Sequence, residues 1–405
     1  MINTIKDSLS MSELRIFRAI YENGPISRVR LSEGLDLTRA AITMNLKRLS
    51  ELNIIEETGK GNRQFGRGRK EILMSINPGA GFILSIHVAL RYLTFGIVDL
   101  SGKIRAKKTR PFPIHSAPHQ ILEPLVGDIS DLVQKTKINP EKIIGIGVGI
   151  PGIVDSQSGI ALESTLEGWQ GFDVRSYLQD HLGYVTHVEN DVKALTLGEY
   201  YFGSAQNVRN LVCLWLEDGI GAGIINDGKL IRGVTASAGE IGFNEFILDM
   251  PVKKSILIVG QPRFWGDILC FANIQATIKR GLEGGWQSQL AADATLGEFV
   301  AAVENRDPLG FYIIRLISRI VGTVCCNLIY TFNPQLLLLS GPLFSRNSWL
   351  VDEVYEHINK GVLRSPIKSV QLKTSMLAED GVTIGSAALI MENFFKGAEP
   401  KTFGV

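Results

Sequence analysis

Cysteine is scarce in this chain: four residues in 405 (Cys213, Cys270, Cys325, Cys326), and no C-x-x-C pair among them. That excludes a disulfide scaffold and a cysteine-rich zinc site, and it fits a reducing compartment. Long apolar runs are lacking too. None reaches the ~18 residues that span a bilayer, and the best candidate, Tyr312–Phe332, is interrupted by Arg315 and Arg319. The N-terminus has no apolar signal core, because polar residues follow Ile5-Lys6-Asp7 at once. There is little net charge, +1 overall, and 45% hydrophobic residues against 20% charged exclude a disordered chain. These absences lead us to expect a cytoplasmic protein without membrane association. At ~100–200 residues per domain, two to four domains are expected.

The small net charge hides an asymmetry. Residues 1–80 hold 13 Lys and Arg against 9 Asp and Glu, a net of +4, and the remaining 325 residues hold 29 against 32, a net of −3. Between Thr58 and Lys70 lie Lys60, Arg63, Arg67, Arg69 and Lys70, with no acid. A basic head on a slightly acidic body suggests a nucleic-acid contact confined to the head, the plainer alternative being a solvated loop.

Within the head, Leu14, Phe17, Ile20 and Tyr21 follow the 3.6-residue period and predict a helix over Met11–Asn23, with Ser12 as its N-cap and Asn23-Gly24-Pro25 as its stop. Ser27 caps a second short helix carrying Val29, Leu31 and Leu35, and Asp36-Leu37 makes the turn. Thr38 caps a third helix that runs to about Leu52, with Ile42, Leu46 and Leu49 on its apolar stripe. The opposite face, from the cap onward, carries Thr38, Arg39, Ala40, Thr43, Met44 and Lys47. Short residues, a hydroxyl and cations are what a recognition helix presents to the major groove. Ile54-Ile55, Gly59–Gly68 and Glu71–Ile76 read as a two-stranded wing whose tip offers Arg63, Arg67, Arg69 and Lys70 to a groove or to phosphates. Three short helices and a basic hairpin make a winged helix-turn-helix at 1–78. The bland alternative is a small helical cap used for packing.

The body changes pattern near Pro78-Gly79. Gly81–Val98 is rich in β residues and ends in the turn signal Asp99–Lys103. Lys142–Ile153 is an apolar run with glycine at 145, 147, 149 and 152, which suggests a buried strand and then a loop that a ligand can approach. Tyr184–Val188 is a strand ending in Glu189-Asn190-Asp191, followed by a helical run from Val192 to Tyr201. The pattern restarts with the strand Leu211–Leu216, the Gly-rich turn Asp218–Gly223, and a hairpin over Ile224–Ile231. The long helix Tyr312–Tyr330, the strand Gln335–Leu339 and the closing helix Gly381–Phe395 follow. Cys325 and Cys326 fall in the long helix and read as core residues rather than a redox pair. Two α/β lobes, 79–200 and 201–405, facing a ligand cleft are the expected architecture, the final helix being a candidate to pack back on the first lobe.

Taken in order, GVGIPGIVDSQSGI (147–160), ESTLEGW (163–169), VENDVKALTLGE (188–199), DGIGAGIINDGKLIRG (218–233) and SAGEIGF (237–243) resemble the ROK family of repressors and sugar kinases, and its regulator branch in particular. The resemblance covers the winged head and both lobes. It implies an actin-like (ribonuclease H-like, ASKHA) body. It also implies that Asn190 and Asp191 bind a sugar, the Asp taking the hydroxyl proton in the kinases, and that Glu240, Thr165, Gly149 and Gly152 line the same pocket. Read without the family, Asp191 is a helix N-cap.

The chain departs from the kinase members. Their D-x-G-G-T phosphate loop reads Ser85-Ile86-His87-Val88-Ala89-Leu90 here, with no acid and no glycine pair, and the second phosphate loop carries Glu217 and Asp218, which repel ATP. The family's zinc ligands are missing as well. Its His is Phe243, and its cysteine cluster is replaced by the 260–267 stretch. No catalytic residue, cofactor or metal is therefore expected. The expected function is a transcriptional regulator, a repressor of carbohydrate genes. It would bind double-stranded, palindromic operator DNA as a homodimer or tetramer and respond to a sugar or sugar derivative. The alternatives are an ATP-dependent sugar kinase with a DNA-binding head, or a regulator controlled by a protein partner such as a sugar-transport protein.

Overall fold

The computed structural model describes residues 8–60, 71–245, 256–257, 261–361 and 363–398. They form two compact units, residues 1–202 with 382–405, and residues 203–381.

The first unit opens with α1 (Met11–Asn23), β1 (Ile26–Ser27), α2 (Arg28–Leu35), α3 (Arg39–Glu51), β2 (Ile55–Lys60) and β3 (Ile72–Ile76). The first cap is Ser10, not Ser12. Ser10 accepts from the Glu13 amide (3.2 Å), and Glu13 accepts from the Ser10 amide in return (2.7 Å). This reciprocal box satisfies two of the helix's orphan donors, which Ser12, with no acid three residues on, cannot do. Ser27 and Thr38 cap α2 and α3 as expected, through the Arg30 and Ala41 amides. Asp36 closes α2 in the left-handed conformation. Leu14, Leu31, Leu35, Ile42, Leu46 and Leu49 are buried around these helices, and the three strands pair in the order β1-β3-β2.

The body of this unit continues with β4 (Phe82–Val88), β5 (Tyr92–Asp99), β6 (Ile104–Pro111), α4 (Pro118–Thr136), β7 (Ile143–Ile150), β8 (Ile153–Asp155), β9 (Ile160–Glu163), α5 (Val174–Leu182), β10 (Thr186–Asn190) and α6 (Asp191–Phe202). Gly81–Val98 is thus a hairpin of two strands, turned at residues 89–91. The turn after β5 forms where expected. Asp99 is buried and accepts from the Ser101 and Lys103 amides and from Arg105 Nε (2.6 Å).

The sheet order is β6-β5-β4-β7-β10, with β4–β7 and β7–β10 parallel and the first three strands antiparallel. The second unit repeats it. Here β11 (Leu211–Leu216), β12 (Ile220–Asn226), β13 (Lys229–Leu230), β14 (Leu336–Ser340) and β15 (Gln371–Thr374) order as β13-β12-β11-β14-β15, again antiparallel and then parallel. The duplication expected from the sequence is therefore present in connectivity, and the fold is mixed α/β throughout.

The helix Pro308–Phe332 has the length and apolarity of a membrane span, but Ile313, Ile317, Val321 and Val324 are buried in the second unit's core. Its apolar face is used in packing. Cys325 is buried there and its thiol is pushed up by desolvation, whereas Cys326 is only half-buried.

The glycines of β7 have a packing cause. A side chain at Gly147 would run into the backbone of Ser386, and one at Gly149 would meet Val382 at 2.7 Å. The C-terminal helix Gly381–Phe394 thus lies directly on β7, and Ser85 Oγ donates to the Thr383 carbonyl from the neighbouring strand. Gly147→Val is expected to cost about 1–3 kcal/mol by overpacking, read as a lower urea midpoint. An unchanged midpoint would show that the helix is not held by this contact.

Candidate functional site

Two groups of residues carry chemistry. The first is the outer face of α3. Thr38, Arg39, Ala40, Thr43, Met44 and Lys47 are all exposed, while Ile42, Leu46 and Leu49 face inward. The six fall together because the helical period places them opposite the buried stripe. Thr38 is partly committed to its cap, and Thr43 Oγ1 donates to the Arg39 carbonyl at 2.8 Å. Lys47 stands 3.8 Å from Glu51, a loose exposed pair that leaves it able to reach outward. Arg39 holds no ion pair among the described residues. Met44 is one of the most exposed apolar side chains described. β2 and β3 form the wing, with Arg28 paired to Glu57 at 3.3 Å. The tip cations Arg63, Arg67, Arg69 and Lys70 lie outside the described residues.

The second group gathers where the parallel strands β4, β7 and β10 end, the side of an α/β sheet on which ligands usually bind. Asn190 is the last residue of β10 and Asp191 the first of α6. Asn190, not Asp191, caps the helix. Its Oδ1 accepts from the Lys193 amide (3.0 Å), and its Nδ2 donates to the Gly152 carbonyl (3.0 Å) and to Asp191 Oδ1 (3.1 Å). The Asp191 carboxylate also accepts from the Val192 amide (2.8 Å) and sits where the helix dipole favours an anion. Asn190 is buried and Asp191 is not.

Gly152, in the left-handed region at φ +96°, packs on Glu163 and Ser164, so the loop is pinned beside the segment carrying exposed Thr165. A side chain at Gly149 would come within 3.5 Å of Asp191 Cα, but the lack of one is already explained by Val382. The structure thus brings Gly149, Gly152, Asn190 and Asp191 together. Glu240 belongs to the second unit, half-buried before the turn Ile241–Phe243.

The segment that replaces a phosphate loop is ordinary strand. Ser85, Ile86, His87 and Val88 are buried in β4, and the Ala89 amide closes the turn on the Tyr92 carbonyl (2.9 Å). No glycine-lined cradle forms there. His87 faces Gly149 across the strand pair, and Tyr92 meets its ring edge-on at 5.7 Å. Sequence reasoning missed His87 as a titrating group, because its burial depends on neighbours distant in sequence. The buried charges Glu189, Lys193 and Glu199 were missed for the same reason. Among the described residues no group of three or more His, Cys, Asp or Glu could hold a metal ion. Phe243 is largely exposed and lies edge-on to Phe264 at 6.3 Å.

A winged helix-turn-helix ahead of a duplicated α/β body defines a DNA-binding head on a kinase-fold scaffold. Residues 83–393 match the model of the ROK family, and residues 12–56 match that of a winged helix-turn-helix DNA-binding domain. The chain belongs to the ROK family. It is 25% identical to the xylose repressor of Caldicellulosiruptor bescii over 96% of this chain and 97% of that one. It is also 25% identical to the N-acetylglucosamine repressor of Shigella flexneri over 96% and 94%. Among solved structures, a ROK family transcriptional regulator described as a homolog of the E. coli MLC protein superposes with a TM-score of 0.78 at 25% identity, covering 97% and 98%. A ROK family glucokinase from Streptomyces griseus, at 20% identity, shares the body's fold with a TM-score of 0.64, covering 77% of this chain and all of that one.

Desolvation holds His87 down at about 4, below its ordinary 6.5. The unfolded chain therefore takes up this proton at a higher pH than the folded one. His87 leaves stability flat above neutrality and lowers it as pH falls from 6.5 toward 4, by roughly 2 kcal/mol at pH 5. Urea titrations at pH 7 and pH 5 should show this loss, and His87→Gln should remove most of it.

Proposed function

We propose that this chain is a sequence-specific DNA-binding transcriptional regulator, a repressor of carbohydrate-metabolism genes whose kinase-fold body binds a sugar as effector. The observation that carries the reading is the exposed face of α3 on a capped, well-packed head, joined to a body that ends its parallel strands in an Asn-Asp pair. Relatives named as repressors of xylose and N-acetylglucosamine systems over nearly their whole length support it. Thr38, Arg39, Ala40, Thr43, Met44 and Lys47 would read or straddle bases, and the wing cations would contact backbone. Asn190 and Asp191, beside Gly149, Gly152 and Thr165, would hold sugar hydroxyls, and Glu240 is a further proposed contact. Two heads on one palindrome call for a dimer or a higher even assembly. A DNA reader of this kind works in the cytoplasm.

We infer further that the chain transfers no phosphoryl group. The segment at the position of the phosphate loop is strand to Val88 and then a tight turn with no glycine pair, and Glu217 and Asp218 stand at the second. No ATP consumption is expected with xylose, glucose or N-acetylglucosamine. Turnover that Asp191→Asn abolishes would overturn this.

Selection from a random DNA pool should enrich a palindrome with the full chain and not with residues 80–405. On that site Arg39→Ala or Lys47→Ala should lose about 1–3 kcal/mol, more on the selected sequence than on others. Removing Arg67 and Arg69 should reduce the salt slope by about one for each lost phosphate contact. No enrichment by either form would sink the reading.

A further inference from the structure

Helix α1 of the head is buried on two sides, and the second side is aromatic. Phe17 meets Phe394 and Phe395 edge-on, with ring centroids 5.7 and 5.0 Å apart. Tyr21 lies 5.5 Å from both Tyr201 and Phe202 and 5.4 Å from Phe395. Arg18, between them, pairs with Glu22 at 2.7 Å and donates to the Ala398 carbonyl. The head thus rests on the ends of two helices, α6 and the C-terminal helix.

The other ends of those two helices lie at the Asn-Asp corner. α6 begins at Asp191 under the Asn190 cap, and the C-terminal helix begins beside Val382, which packs on Gly149. At a rise of about 1.5 Å per residue, the 12 residues of α6 span about 18 Å and the 14 of the C-terminal helix about 21 Å. The two are in close contact along the way, since a side chain at Gly385 would run into the Ala194 carbonyl. Interiors packed this closely transmit strain.

The contact with the head carries one unfavourable feature. The Tyr21 hydroxyl is buried and finds no hydrogen-bond partner among the described residues. A buried, unpaired hydroxyl makes an otherwise apolar contact less stable than its area suggests.

We propose that α6 and the C-terminal helix form a lever coupling the Asn190–Asp191 corner to the DNA-binding head, with Tyr21 and Phe17 as the joint. The lever rests on the regulator reading above and gives it a physical route. Ligand contact that re-aims Asn190 tilts α6, and Tyr201 and Phe202 then press on or release α1. Tyr21→Phe removes the orphaned hydroxyl and tightens the joint, and Phe17→Ala loosens it.

The test is a double-mutant cycle in the full chain, read on the selected operator. Asn190→Ala, which uncaps α6, should change operator affinity by about 5-fold or more. In the Tyr21→Ala background the same change should shrink to less than about 2-fold. No effect of Asn190→Ala, or an equal effect in both backgrounds, overturns the lever. Tyr21→Phe serves in place of Tyr21→Ala if the latter unfolds, and should alter the response to Asn190→Ala. Hydrogen exchange of α1, measured without DNA, gives an independent answer. Protection over Met11–Asn23 should change in Asn190→Ala, and unchanged protection counts against the lever even if no operator is found. Failure of the DNA selection with altered exchange would remove the regulator reading and leave the mechanical link standing.

Discussion

The first unit depends on one close approach, that of the helix Gly381–Phe394 to strand β7. Gly147 faces the Ser386 backbone so closely that no side chain fits between them. This contact draws the chain's last helix into a unit whose other residues end at Phe202, with the whole of 203–381 intervening. It lays Val382 on Gly149, and it delivers Phe394 and Phe395 to the underside of the head. A β7 without glycines would displace the helix and with it the floor on which α1 rests.

The Asn-Asp corner is held by the same economy of atoms. Asn190 spends its carbonyl oxygen on the α6 cap and both described donor contacts on Gly152 and Asp191. One side chain therefore fixes the start of a helix, the loop after β7 and the orientation of a carboxylate. A group so committed is well suited to hold geometry.

How much of this was legible in the sequence varies with the range of the forces involved. The caps at Ser27 and Thr38, the inward stripe of α3 and the turn at Asp99 are local. They rest on residues three or four apart, and a sequence shows such spacing directly. The first cap lies two positions before the expected one, because Ser10 and Ser12 differ only in whether an acid follows three residues later. The duplicated strand order could be read because each lobe restarts the same pattern of apolar runs. Phe17 and Tyr21 were legible as apolar positions of α1 but not as a joint, since their partners Phe394 and Phe395 lie more than 370 residues away.

What the sequence by itself determined, then, is the set of elements, their caps and turns, the exposed face of α3, and the motifs that carry the family resemblance. Tertiary structure alone decided why β7 is rich in glycine. The sequence implies a buried strand and then an approachable loop, and only the structure shows that Gly147 and Gly149 within that strand make room for a helix. It also decided that His87 is buried and neutral, and that the head docks on α6 and the C-terminal helix. The physical reason is common to all three. Burial and close packing are set by atoms that meet only when the chain has folded, and neither periodicity nor spacing encodes which distant surface will arrive.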